Sequence, residues 1–76
     1  MNKERKQRLQ DVVELLEEAK DELYDIQSEE EDAFDELPDS VQDSERGEKM
    51  QDWIDFMDDI IDRIDSIINT IDKKVK

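Results

Sequence analysis

The sequence predicts an all-α protein: an antiparallel helical hairpin of coiled-coil type, two copies of which pair into a four-helix bundle dimer. Three observations predict it. Apolar residues recur at alternating spacings of three and four in both halves of the chain. The only proline and the only glycine fall together in the stretch FDELPDSVQDSERGEKM, between the two periodic halves. The apolar stripe of the second half is broader than one helix–helix seam requires.

In the first half, Leu9, Val12, Leu16, Ala19, Leu23, Ile26, Ala33 and Leu37 form a heptad pattern. Position a falls at 9, 16, 23, 30 and 37, and d at 12, 19, 26 and 33. Glu30 interrupts it. A buried carboxylate without a partner is costly, so Glu30 is expected either to pair with Arg46 or Lys49 or to reach water. Strict alternation, the signature of a strand, is absent. Helix 1 is predicted over about residues 3–36.

Pro38 lacks an N–H and disfavours helix at the residue before it, so helix 1 should stop there. A turn is predicted over about 37–43 and helix 2 over about 40–75, as one single-domain hairpin. Asp39 and Ser40 are good N-caps, and Gln42 lies three after Asp39, as a capping box requires. Ser44 is the alternative start. Gly47 has two readings: a missing Cβ that lets the partner helix approach, or a simple break.

The second half carries Met50, Trp53, Met57, Ile60, Ile64, Ile67 and Ile71 on a and d positions. Ile54, Ile61, Ile68 and Val75 form a third column on e. Folding the chain back near residue 40 sets positions opposite each other when their numbers total about 80. Ile26 then meets Ile54, Leu16 meets Ile64 and Leu9 meets Ile71, all apolar. On this register a lone hairpin leaves Ile54, Ile61, Ile68 and Val75 wet, with Val13 and Leu15 on the flanks of helix 1. These six are the expected homodimer interface, since an exposed apolar stripe of that length marks a contact surface.

Composition bounds the function. Charged residues make up 47% of the 76 and the net charge is −14, which disfavours direct binding to nucleic acid or an anionic membrane. Residues 1–8 carry +3 and 72–76 carry +2, so residues 9–71 hold −19 of the total. No apolar run is long enough to span a bilayer and the first ten residues lack a hydrophobic signal core, so the expected location is the cytoplasm.

The chain has no cysteine and no histidine, so neither thiolate metal sites nor the commonest general base can be assembled. The serines and Thr70 lack a neighbouring base. Carboxylate pairs such as Glu14/Glu17 and Asp59/Asp62 have the i, i+3 spacing of helical Mg-dependent nucleotide pyrophosphohydrolases, but the heptad scheme points them at solvent. No enzyme activity, cofactor or metal is expected. The candidate protein-binding residues are Tyr24 and Phe56, off the seam and at one level, with Asp55, Asp59 and Asp62 on the acidic surface beside them.

The segment AFDELPDSVQDSERGEKM, through its AFD, LP and SERGE elements and the acidic amphipathic helix that follows, resembles small acidic proteins of unknown function encoded by bacteriophages and prophages. The resemblance implies a phage or mobile-element accessory protein in a bacterial host cell, and carries over no catalytic residues. The expected function is therefore non-enzymatic binding of a basic or nucleic-acid-binding protein. Two alternatives are a DNA mimic that inhibits such a host protein and, less in keeping with the pattern, a Mg-dependent nucleotide hydrolase.

Overall fold

The computed structural model describes residues 1–76, and all of its regular secondary structure is helical. Helix α1 spans Lys3–Asp35, a single helical turn α2 spans Asp39–Gln42, and α3 spans Glu45–Val75. α1 and α3 lie side by side, giving a rod of 58 × 15 × 13 Å. No helix is long and apolar enough to cross a membrane.

Asn2 starts α1: its side-chain oxygen accepts from the Arg5 N–H at 2.8 Å, satisfying one of the free donors of the first turn. The other end is closed from outside. The Gln42 side-chain amide donates to the Phe34 and Leu37 carbonyls at 3.1 and 3.2 Å, where α1 stops; the Phe34 carbonyl also accepts from the Leu37 N–H. Gln42 thus reaches back to α1 and does not form the expected capping box with Asp39.

Pro38 is extended (φ −57°, ψ 149°), and its carbonyl accepts from Val41 and Gln42 to open α2. The chain then breaks again. Ser44 is extended (φ −86°, ψ 174°), its hydroxyl donates to the Val41 carbonyl, and its own carbonyl opens α3 by accepting from Glu48. Asp39 and Ser40 therefore lie inside α2, whose N-cap is Pro38, and the alternative start, Ser44, is the N-cap of the second long helix, without a side-chain capping bond. The second long helix begins at Glu45, and the turn before it contains α2.

Gly47 explains why the corner is tight. A Cβ on it would lie 2.0 Å from the Gln42 carbonyl oxygen and 2.5 Å from its carbon. The glycine serves close packing, as one of its two readings held, but it packs against the backbone of α2 and not against helix 1.

The seam departs from the expected one. On α1, Leu9, Val13, Leu16, Lys20, Leu23, Gln27, Glu30, Phe34 and Leu37 are buried or half-buried. The column Val12, Ala19, Ile26 and Ala33 is exposed. On α3 the buried or half-buried positions are Gly47, Met50, Ile54, Met57, Ile60, Ile61, Ile64, Ile68, Ile71, Asp72 and Val75, while Trp53 and Ile67, in the column of Ile60, are exposed. Both seams keep the alternating three and four, but each uses the neighbouring column.

The corner turns α3, because Gly47 can approach Gln42 only if the column Gly47, Ile54, Ile61, Ile68 and Val75 faces inward. Polar partners turn α1. The buried Gln27 amide donates to the Ile54 carbonyl at 3.1 Å and to Asp58 at 2.6 Å, and the Lys20 ammonium to Asp65 at 2.7 Å. Their apolar stems fill the seam while their heads reach the flank of α3. No buried side-chain donor or acceptor lacks a partner.

These bonds also set the register. Lys20/Asp65 and Gln27/Asp58 each have numbers totalling 85, and one cleft is lined jointly by Phe34, Glu31, Gln51 and Ile54. Opposed positions therefore total about 84–85, some four more than the expected 80. The breaks on either side of α2 move the fold-back point toward residue 42.

Candidate protein-binding surfaces

A two-helix seam has two flanks, and here they differ in chemistry. One flank holds Asp58 and Asp65, which receive the cross-helix bonds from Gln27 and Lys20. Along the outward columns adjoining it lie 19 of the 25 acidic residues, against three basic ones, Lys3, Lys73 and Lys76. The opposite flank carries the column Val12, Ala19, Ile26, Ala33 from α1 beside Trp53, Ile60, Ile67 from α3. Leu15 and Phe56 adjoin these columns from outside. Six of the 11 basic residues, Arg5, Arg8, Arg46, Lys49, Arg63 and Lys74, border this apolar flank, with only Glu22, Glu29 and Glu36 among the acids.

The charge polarity is therefore transverse as well as axial. The heptad repeat produces it, because a residue type repeated every seven positions stays on one side of a supercoiled rod.

The expected dimer-interface residues divide on this geometry. Ile54, Ile61, Ile68 and Val13 are buried within the hairpin and Val75 is half-buried, so the hairpin itself covers the column that was expected to be wet. Leu15 alone of the six is well exposed, at 62%. The free apolar surface has moved to residues assigned to the seam: Val12, Ile26, Trp53 and Ile67 are 41, 43, 59 and 51% exposed.

The candidate binding residues divide too. Phe56 does not sit over Tyr24. Its ring meets Trp53 edge-to-face, with centroids 5.7 Å apart and planes at 87°, one helical turn away on the same helix. Tyr24 lies on the acidic flank, and Phe56 on the apolar one. Asp55, Asp59 and Asp62 are exposed on the acidic side. Asp55 accepts from the Gln51 amide at 3.0 Å and Asp59 pairs with the Arg63 Nε at 3.0 Å. Glu30 is half-buried and takes no ion pair, since Lys49 pairs with Glu45 at 3.3 Å. No three carboxylates converge on a point that could hold a metal ion.

Lys20 is the one group whose ionisation is visibly displaced. The hydrogen bond it donates to Asp65 raises its pKa above the ordinary 10.5 against a lowering by burial, and the charges of Asp65, Tyr24 and Glu17 add to the rise.

Sequence reasoning missed Gln27 and Lys20 because only apolar residues were used to trace the seam. The signal present in the sequence was partial: Val13, Lys20, Gln27 and Phe34 share one column, but the register that brings Lys20 to Asp65 and Gln27 to Asp58 differs from the expected one.

No protein-family model, no curated protein and no solved structure matches the chain.

Proposed function

We propose that the protein is a non-enzymatic, acidic protein-binding module, an accessory of phage or mobile-element type acting in a bacterial cytoplasm. In this reading two hairpins pair into a four-helix bundle and turn their acidic flanks outward to a basic or nucleic-acid-binding protein. The observation that carries it is the separation of the two flanks: one is carboxylate along the length of the rod and the other is apolar. Uniformly solvated helices have no need of such a division. Complementary charge of this kind steers encounter and selects basic partners.

The test is capture of proteins from a bacterial lysate at low salt, with the triple substitution Asp55→Asn, Asp59→Asn, Asp62→Asn as the comparison. A stoichiometric basic partner, released by salt and lost with the triple variant, is the expected result. Equal capture by the variant, or no capture by the parent, overturns the reading. A DNA-mimic role is the second reading, favoured by the continuity of the acidic flank over a rod 58 Å long. Competition with duplex DNA for the captured protein separates the two.

A further inference from the structure

We infer that the apolar flank binds a second copy of this chain, with both turns at the same end of the dimer, α1 of each copy lying on α3 of the other. The inference rests on the pairing proposed above and specifies its face and direction.

The area argument comes first. The chain exposes 5973 Å², whereas a compact monomer of 9.1 kDa exposes about 4,900 Å². Its radius of gyration is 17.3 Å, against about 11 Å for a globular chain of this length. One flank of the rod, 58 by 15 Å, offers about 870 Å². A stable interface buries about 800 Å² per partner. The excess surface and the available face are thus both of the size that a second copy covers.

Self-complementarity selects the second copy over another occupant. In the observed register Ala33 lies within a residue or two of the level of Trp53, Ile26 of Ile60, and Ala19 of Ile67. A two-fold axis along the rod sets each of these against its mate in the other copy, so that small residues on α1 face large ones on α3. The same operation sets Glu22 against Arg63 and Glu36 against Lys49. The alternative two-fold, with turns at opposite ends, would bring Trp53 near Thr70 and Lys74 and set Lys49 toward Lys74. It would gain the attraction between the basic open end and the acidic turn end. That gain falls on solvent-exposed charges at the two ends, where an ion pair contributes little, so the packing of the apolar columns decides. The net charge of −14 on the whole chain counts against an anionic membrane as the occupant.

The experiment combines mass and distance. The full chain has no cysteine, so Ser40→Cys, at the exposed turn, accepts a single spin label per copy. Light scattering should give about 18 kDa, twice the 9.1 kDa of the chain. Label-to-label distances should fall within about 30 Å, the width of a four-helix bundle. The Trp53 emission should shift to the blue as the dimer forms. Ile67→Asp, at a position exposed in the hairpin, should keep the helical circular dichroism and weaken the dimer by roughly 30-fold or more. Ala33→Arg, also exposed, should do the same and serves if the first variant unfolds.

A dimer with labels near the length of the rod overturns the direction while leaving the pairing intact. A dimer unaffected by both substitutions overturns the face. A monomer at all concentrations overturns the inference and the pairing together, as does a monomer that instead binds vesicles of phosphatidylglycerol.

Discussion

Lys20 and Gln27 occupy seam positions where leucine or isoleucine would be routine, and each holds a carboxylate on the facing helix. Such residues add little net stability, since a partly exposed ion pair gains little and a buried amide only offsets its own desolvation. Their effect is on the rotation of α3: the two heads reach the column Asp58, Asp65 and Asp72, and not the isoleucines beside it. The raised pKa of Lys20 gives a way to see this contact. Because the folded value lies above the unfolded one, the contribution is fully present below pH 10.5 and disappears as pH rises through the folded value. The difference in unfolding midpoint between the parent and Lys20→Met should therefore stay constant from pH 7 to about 10 and then change, with the parent losing its share. Parallel midpoint curves across pH 10.5 would show that the Asp65 contact does not form in solution.

At the scale of the elements, the corner fixes which sides of the long helices meet. Two extended residues, Pro38 and Ser44, bracket a single helical turn. Gln42 from that turn both closes α1 and presses its backbone on Gly47. Gly47→Ala should gain roughly 1 kcal/mol of helix propensity. It should lose more, on the order of 1–3 kcal/mol of overpacking, because the obstructing atoms are backbone and cannot rotate away. Urea unfolding monitored by circular dichroism should thus show a less stable variant. A more stable one would mean that α2 is not seated on α3.

The corner also shows where the sequence was readable. The two helices, the end of the first near Asp35 and the role of Pro38 follow from period and capping chemistry, which are local, whereas the start of the second at Glu45 lies several residues beyond the expected one. The rotation of each helix does not. The α3 stripe contains two equally apolar pairs of columns, one including Trp53, Ile60 and Ile67 and the other Ile54, Ile61 and Ile68. Hydrophobicity ranks them alike. The choice is made by the contact between Gly47 and Gln42 and by hydrogen bonds between residues 31 and 45 positions apart, and neither shows in a heptad count. The assignment of the interface to Ile54, Ile61, Ile68 and Val75 failed for that reason, while the expectation of a surplus apolar column on α3 survived on its neighbours.

At the scale of the molecule, 76 residues bury few side chains: Val13, Ile54, Met57, Ile61 and Ile68 are the apolar core, and none is wholly sealed. So thin a core is marginal for a chain of this size. It must also hold together a body of net charge −14. Carboxylates crowded on one flank repel one another in a geometry that only the folded rod enforces. Salt screens that repulsion and strengthens apolar contact. The thermal midpoint should therefore rise between 20 mM and 500 mM sodium chloride. A midpoint that falls would mean that the favourable pairs, such as Lys20–Asp65 and Arg63–Asp59, outweigh the crowding.

The division of the rod into a charged flank and a greasy one also makes the single hairpin a surfactant. At an air–water boundary, or on a positively charged bead, it would lie down lengthwise in one orientation only, with Trp53 and Phe56 pointing to air in the first case and to solvent in the second. A sparse coating of hairpins would therefore make a cationic surface sticky to oil, and adding more chain would wet it again as a second layer closed over the first.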